Sequence, residues 1–352
     1  MSRPGVMPPY VLEAIVRNGD EGQRAWALRT LAVDGTVRQA RAVNAKVRGS
    51  GPREGADALA AIAPAGPRRT ISDAAGGTAV TGLRTLRGEG DGPAGDPAAD
   101  EAYDGLGATW TFWSDVFGRR SIDDRDMPLR GVVYYGSDYD NAFWDGRRMI
   151  FGDGDGKLFV RFTRSLDVIG HELGHGITED EAGLEYQGQP GALNEHISDA
   201  FGSIVKQHHL GQTADVADWL IGADLRGPDF HGAALRSMTA PGTAYDDPVL
   251  GKDPQPATFA DYVETTDDNG GVHLNSGIPN QAFATLAIRL GGRAWETAGT
   301  IWYETLRDPR LKAGASFAQF ASLTRTVAGS RFGAPAAAAV QAAWTAVGVT
   351  SA

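Results

Sequence analysis

The chain reads as blocks of different hydrophobic rhythm. Residues 10–17 repeat apolar side chains at helical spacing, 24–31 continue that character, and 38–47 form a third, more polar helix. Residues 48–70 and 86–98 lose periodicity in favour of Gly, Pro and Ala, which predicts a linker and then a surface loop. Strand signals lie at 131–135, at 147–151, and at 157–162 behind a Gly-Asp-Gly turn, with one helix over 101–117. From Ser165 onward the pattern is helical, over 166–178, 192–209, 280–290, 293–306, 317–327 and 336–347. No repeat period recurs. The expected fold class is α+β: a helical N-terminal unit (1–50), a linker (51–70), a strand-rich half (71–164) and an all-helical half (165–352).

A chain of 352 residues has room for two or three domains with a cleft between them. Hydrophobic residues at 42% and charged residues at 22% place it among soluble globular proteins, not disordered or membrane ones. The apolar stretch 332–349 is mostly alanine and lacks basic flanks, so it predicts a docked C-terminal helix. A net charge of -11 leaves no basic face for nucleic acid. With no cysteine, any metal must be held by His, Asp or Glu. Prolines, glycines and Glu13 break the only N-terminal run that could serve as a secretory leader. The expected destination is the cytoplasm, or export by an unconventional route.

The densest chemistry lies in HELGH at 171–175, an H-E-x-x-H pattern on a helix whose apolar face is Leu166, Ile169 and Leu173. Residues i and i+4 stand one above the other on a helix, so His171 and His175 present two imidazoles to one zinc ion, with Glu172 beside it as a general base. The run GALNEHISD at 191–199 supplies the third ligand, Glu195. Asp199, four residues on, can accept the free N–H of His171 or of His175 and fix its tautomer. Two histidines and one carboxylate leave a coordination position open, the arrangement of catalytic zinc.

Six ordered motifs, NAFWD (141–145), FGDGDG (151–156), HELGH, GALNEHISD, LRSM (235–238) and DNGGVHLNSG (268–277), give the chain a resemblance to the thermolysin-like M4 metallopeptidases from about residue 70 to the end. The N-terminal MPPYVL (7–12) resembles the short propeptide of the protealysin-like subgroup. The resemblance implies a two-domain fold with the active site in the cleft, and a zinc-dependent neutral endopeptidase made as a self-processing zymogen. It assigns oxyanion donors to Tyr186 and His273, with Asp268 orienting His273. It gives the substrate backbone to Arg236, Asn141 and Ala142, and an apolar pocket for the residue after the scissile bond to Phe159, Phe162, Val168, Ile221 and Leu235. At the family's calcium cluster the chain keeps Asp167 and Asp218 but has Lys206, Leu220 and Ala223, so calcium is expected to be weakly bound or absent. Without cysteine to cap the metal, the propeptide would inhibit sterically, with residues near 8–10 covering the cleft until cleavage in 48–70. Expected partners are peptide or protein substrates and the propeptide, with room for a proteinaceous inhibitor. A silent binding protein and a hydrolase of another ester or amide are the competing readings. The intact catalytic positions oppose the first and the peptide-groove residues oppose the second.

Overall fold

A computed structural model describes residues 5–47 and 66–350. Residues 48–65, which carry most of the expected linker and its boundary at 50, lie outside the described residues. The N-terminal unit is two helices, α1 (Pro9–Asn18) and α2 (Glu21–Val47). The stretches at 24–31 and 38–47 are thus one helix, because residues 32–37 between them hold no proline and a single glycine, Gly35, which costs a helix only about 1 kcal/mol. Val11, Leu12, Ile15, Trp26 and Ala27 bury their side chains in the same core as the rest of the protein.

Five strands follow, β1 (Arg69–Asp73), β2 (Arg84–Gly88), β3 (Leu129–Val133), β4 (Ala142–Trp144) and β5 (Met149–Phe151), with α3 (Pro97–Phe117) between β2 and β3. They form one mixed sheet in the order β2-β1-β3-β5-β4, which leaves β4 on an edge. The strand expected at 131–135 stops at Val133 because Tyr134 has a left-handed backbone (φ 57°). No strand forms at 157–162. The Asp155 carboxylate accepts the amides of Lys157 (3.0 Å) and Phe159 (2.8 Å), donors a ladder would need. A single bridge from Phe159 to Arg226 and a 3₁₀ turn (Phe162–Arg164) take its place.

The C-terminal half holds α4 (Leu166–Glu181), α5 (Gly188–Leu210), β6 (Leu220–Ile221), β7 (Arg236–Ser237), β8 (Asp246–Asp247), β9 (Gly251–Lys252), α6 (Asp268–Asn275), α7 (Gly277–Leu290), α8 (Thr300–Arg307), α9 (Phe317–Phe332) and α10 (Ala334–Ala346). It is not all-helical, since β6 pairs with β7 and β8 with β9 as short ribbons between α5 and α6. The segment expected as one helix over 293–306 begins with a π-turn, Trp295–Gly299, before α8. Trp344 of α10 stacks on Trp302 of α8 (6.1 Å, 5°), which docks the alanine-rich terminus. Among the described residues no helix is long and apolar enough to cross a membrane.

The closest helix contact is α4 on α5, where glycines remove the side chains between two backbones. A Cβ on Gly202 would stand 2.3 Å from the Asp167 carbonyl oxygen and 3.0 Å from the His171 nitrogen. One on Gly170 would stand 3.0 Å from Gly202 Cα, and one on Gly174 3.2 Å from Ser198 Cα. A methyl group here forces the helices apart. Gly202→Ala is expected to cost about 1–3 kcal/mol, read as a lower urea midpoint, whereas Gly314→Ala, with nothing within 4 Å of its Cβ, leaves the midpoint unchanged.

Candidate active site

The contact of α4 with α5 converges three side chains on one point. His171 and His175 stand one turn apart on α4, their Nε2 atoms 3.1 Å from each other. From α5, Glu195 brings Oε2 to 3.4 Å from His171 Nε2 and Oε1 to 3.4 Å from His175 Nε2. His171 Nδ1 donates to Asp199 Oδ1 (2.8 Å), and His175 Nδ1 meets Asn194 Oδ1 (2.8 Å) and Ser198 Oγ (3.0 Å). With their Nδ1 protons so engaged, the neutral rings turn an Nε2 lone pair inward, toward a carboxylate. Buried lone pairs and a carboxylate facing one another repel unless a cation joins them. Two ligands about 2.0–2.1 Å from a tetrahedral zinc stand roughly 3.3 Å apart, so the observed spacing fits that ion.

Glu172 also lies on α4, and a donor atom from each of His171, Glu172 and His175 falls within 4.8 Å of the other two. Its Oε2 accepts the Trp144 backbone N–H at 2.9 Å, which ties it to edge strand β4. Across the site, the Tyr186 hydroxyl donates to Glu195 Oε1. His273 brings Nε2 to 3.5 Å from Glu195 Oε2. Asp268–Gly271, with φ between 50° and 80°, make a left-handed turn that curls the Asp268 carboxylate under His273. The Asp268 carboxylate accepts the His273 Nδ1 proton (2.6 Å) and its backbone N–H (2.8 Å).

His171, Glu172, His175, Tyr186, Glu195, Asp199 and His273 are buried, and Asp268 is half-buried. Burial opposes charge on His273, but the Asp268 and Glu195 carboxylates outweigh it and raise its pKa. Burial likewise opposes charge on His171, and Asp199 and Glu195 push its pKa up to about 9. Burial works against the Glu195 carboxylate, yet the facing His273, His175 and His171 hold its pKa well below the usual range. The neighbouring His196 behaves differently. Burial lowers its pKa to about 4, so it stays neutral.

The cleft above this cluster is filled by the chain's own N-terminus. Val6 donates its N–H to the Ala142 carbonyl (3.2 Å), and Met7 donates to Asn141 Oδ1 (3.0 Å), so Gly5–Met7 lie against the outer edge of β4 through one backbone and one side-chain hydrogen bond, without extending the sheet. Arg236 on β7 donates Nη1 to the Val6 carbonyl (3.0 Å) and grips Asp199 with Nε (2.9 Å) and Nη2 (2.8 Å). A Cβ on Gly5 would stand 1.9 Å from the Ala142 carbonyl oxygen, so the approach needs glycine. The polar contacts therefore belong to Val6 and Met7, not to 8–10, where Pro8 and Pro9 have no N–H to give.

Phe159, Phe162, Val168, Ile221 and Leu235 are all buried in the main core. Leu235 donates its N–H to Ile221 (3.0 Å) beside Arg236, and the rings of Phe159 and Phe162 lie 6.4 Å apart. Three contacts had no sequence signal: Asn194 on His175, the Trp144 amide on Glu172, and Asn280 on Asp199. The His208 ring packs 5.0 Å from Trp295 and 5.5 Å from Phe112.

Residues 71–179 match the catalytic domain of the thermolysin metallopeptidases, and 182–349 their alpha-helical domain. The chain belongs to this family. It is 52% identical to an extracellular metalloprotease of Pectobacterium carotovorum subsp. carotovorum over 99% of this chain and 97% of that protein. It is 45% identical to protease PrtS of a Photorhabdus species, over 98% and 92% of the two chains. The solved precursor of protealysin, a metalloproteinase from Serratia proteamaculans, superposes with a TM-score of 0.88 at 50% identity, over 98% of this chain and 99% of its own.

This thermolysin-family chain is a zinc-dependent metalloendopeptidase with the architecture of a zymogen. Its destination must be corrected. Relatives from Pectobacterium carotovorum and Serratia marcescens are named extracellular metalloproteases, which points to secretion and against the cytoplasm. Sequence reasoning erred by seeking an apolar leader, which is one route to secretion among several. A metal held by neutral imidazoles must displace the proton that His171 keeps up to about pH 9 in the metal-free protein. Zinc added to the metal-free protein at pH 7 is therefore expected to release protons, measured as a calorimetric heat that changes with the buffer's ionisation enthalpy.

Proposed function

We propose that this metallopeptidase holds zinc with His171, His175 and Glu195 and cuts extended peptides laid along β4. The observation that carries this reading is the 3.1–3.4 Å triangle of Nε2 and carboxylate atoms with its Nδ1 sides locked from behind. Bound there, zinc would polarise the scissile carbonyl and lower the pKa of an attacking water to about 7. Glu172 takes the water's proton and hands it to the leaving amine. Its hold on the Trp144 amide keeps it at the strand along which substrate lies. His273, its Nδ1 proton accepted by Asp268, and the Tyr186 hydroxyl donate to the oxyanion. Asp199 fixes His171, while Asn141, Ala142 and Arg236 hold the peptide backbone as they hold Val6 and Met7. Phe159, Phe162, Val168, Ile221 and Leu235 favour a bulky apolar residue after the cut.

On this reading residues 1–50 are the propeptide, with Gly5–Met7 occupying the substrate edge, and 51–70 hold the maturation site. The strand-rich peptidase domain is 71–164 and the helical one 165–352. A protein inhibitor would compete for the same edge. Wild type and Glu172→Ala, followed by intact mass and assayed on a quenched peptide, test the scheme. Wild type should shed about 50–70 N-terminal residues and cleave before bulky apolar residues, whereas Glu172→Ala stays whole and loses at least about a thousandfold in kcat/KM. Activity equal to wild type in that variant would remove Glu172 from the role of base.

Calcium is weak or absent at the expected cluster because a lysine stands in it. Lys206 Nζ reaches Asp167 (2.8 Å), Asp218 (3.0 Å) and the Leu220 carbonyl (3.1 Å), so the ammonium bridges two carboxylates and offsets part of their charge. Burial disfavours the charged lysine, but Asp167 and Asp218 raise its pKa above the ordinary value. Removing this cation strands the buried Asp167 carboxylate. Lys206→Ala should lose about 3–5 kcal/mol in chemical denaturation, while a calcium chelator leaves the wild-type melting temperature unchanged.

A further inference from the structure

Behind the zinc-facing histidines runs a line of buried polar groups whose hydrogen bonds can be oriented one from the next. The Trp302 indole can only donate, and its Nε1–H meets His196 Nε2 at 2.7 Å. The neutral His196 must then donate from Nδ1, which meets Asn280 Oδ1 at 2.8 Å. Asn280 has only its amide nitrogen left to present, and Nδ2 donates to Asp199 Oδ2 at 2.8 Å. Asp199 Oδ1 accepts the Nδ1 proton of His171, which leaves His171 Nε2 free to bind metal. All five residues are at most 1% exposed.

We propose that Trp302, His196 and Asn280 are positioning residues for His171, acting through Asp199. The inference rests on the reading that His171 binds zinc. Asp199 is contested. The Arg236 guanidinium holds both of its oxygens, and a charge-assisted fork can swing the carboxylate away from His171. The Asn280 amide is the donor that restrains Oδ2 on the side of α7, and the indole of α8 dictates which way that amide points. Reverse the chain by deleting the indole N–H, and His196 is free to carry its proton on Nε2. Asn280 then gains by rotating its NH2 toward His196, which turns its oxygen against the Asp199 carboxylate. Packing alone does not require this order, since His196 sits among Phe283, Trp302 and Phe320, where an apolar side chain would fill the space.

Trp302→Phe in the full-length chain removes that one donor and keeps a ring. Trp344→Phe is the control. It deletes a second buried indole N–H, donated to Thr324 Oγ1 at 3.0 Å in the same aromatic cluster but off the line. Zinc affinity is read by equilibrium competition with a chelator, the His196 tautomer by ¹⁵N NMR, and stability by urea denaturation. Trp302→Phe should bind zinc about tenfold more weakly and move the His196 proton to Nε2, whereas Trp344→Phe loses comparable stability and keeps wild-type affinity. If Trp302→Phe does not fold, Asn280→Ala, which removes the donor to Asp199 directly, must weaken zinc at least as much. Unchanged affinity in the variant, or equal losses in both tryptophan variants, overturns the inference. No zinc uptake by wild type would overturn the underlying reading of the site instead.

Discussion

The site depends on how closely two helix backbones can approach. Gly170 and Gly174 on α4 meet Gly202 and Ser198 on α5 with no side chain between them. Only at that separation can His171 and His175 share a point with Glu195, and Asp199 reach the back of His171. Ligands held by two packed helices cannot drift independently, which is the rigidity a metal site needs when coordination tolerances are about 0.2 Å. The same closeness buries the Nδ1 sides of both histidine rings, and the hydrogen bonds to Asp199 and Asn194 satisfy them there.

Asp199 joins what would otherwise be separate parts. It faces His171 on one side, Arg236 on another and Asn280 on a third. Arg236 in turn holds the Val6 carbonyl, so the residue that grips an extended backbone is braced by the one that orients a histidine of the metal cluster. The buried Arg236 guanidinium compensates the charge of the Asp199 carboxylate, while His273, His175 and His171 face the Glu195 carboxylate. Burial pushes the Asp199 pKa up, but Arg236 and His171 dominate and hold it below the usual range.

The N-terminal unit uses the general economy of edge strands. β4 ends the sheet with an open backbone edge, and Val6 donates to its Ala142 carbonyl while α1 and Trp26 and Ala27 of α2 bury apolar side chains in the common core. An edge open to any extended peptide is thus closed by the chain itself. Lys206 bridges a pair of acidic groups, Asp167 and Asp218, with a side chain in place of a metal ion.

Much of this was legible in the sequence. The i, i+4 spacing of His171 and His175, the second motif around Glu195, the α+β order of elements and the family itself follow from local rules, because helical periodicity and motif spacing are properties of neighbouring residues. Strand limits and the missing strand at 157–162 were not legible. They turn on a left-handed Tyr134 and on the Asp155 carboxylate capturing two amides, choices that hydrophobic pattern does not encode. Sequence left Asp199 free to serve either histidine and gave no role to Asn194, Asn280 or Trp302. Only the tertiary structure decided these, since each pairing spans a separation fixed by how α4, α5, α7 and α8 pack, and a buried donor takes whichever acceptor that packing places within about 3 Å.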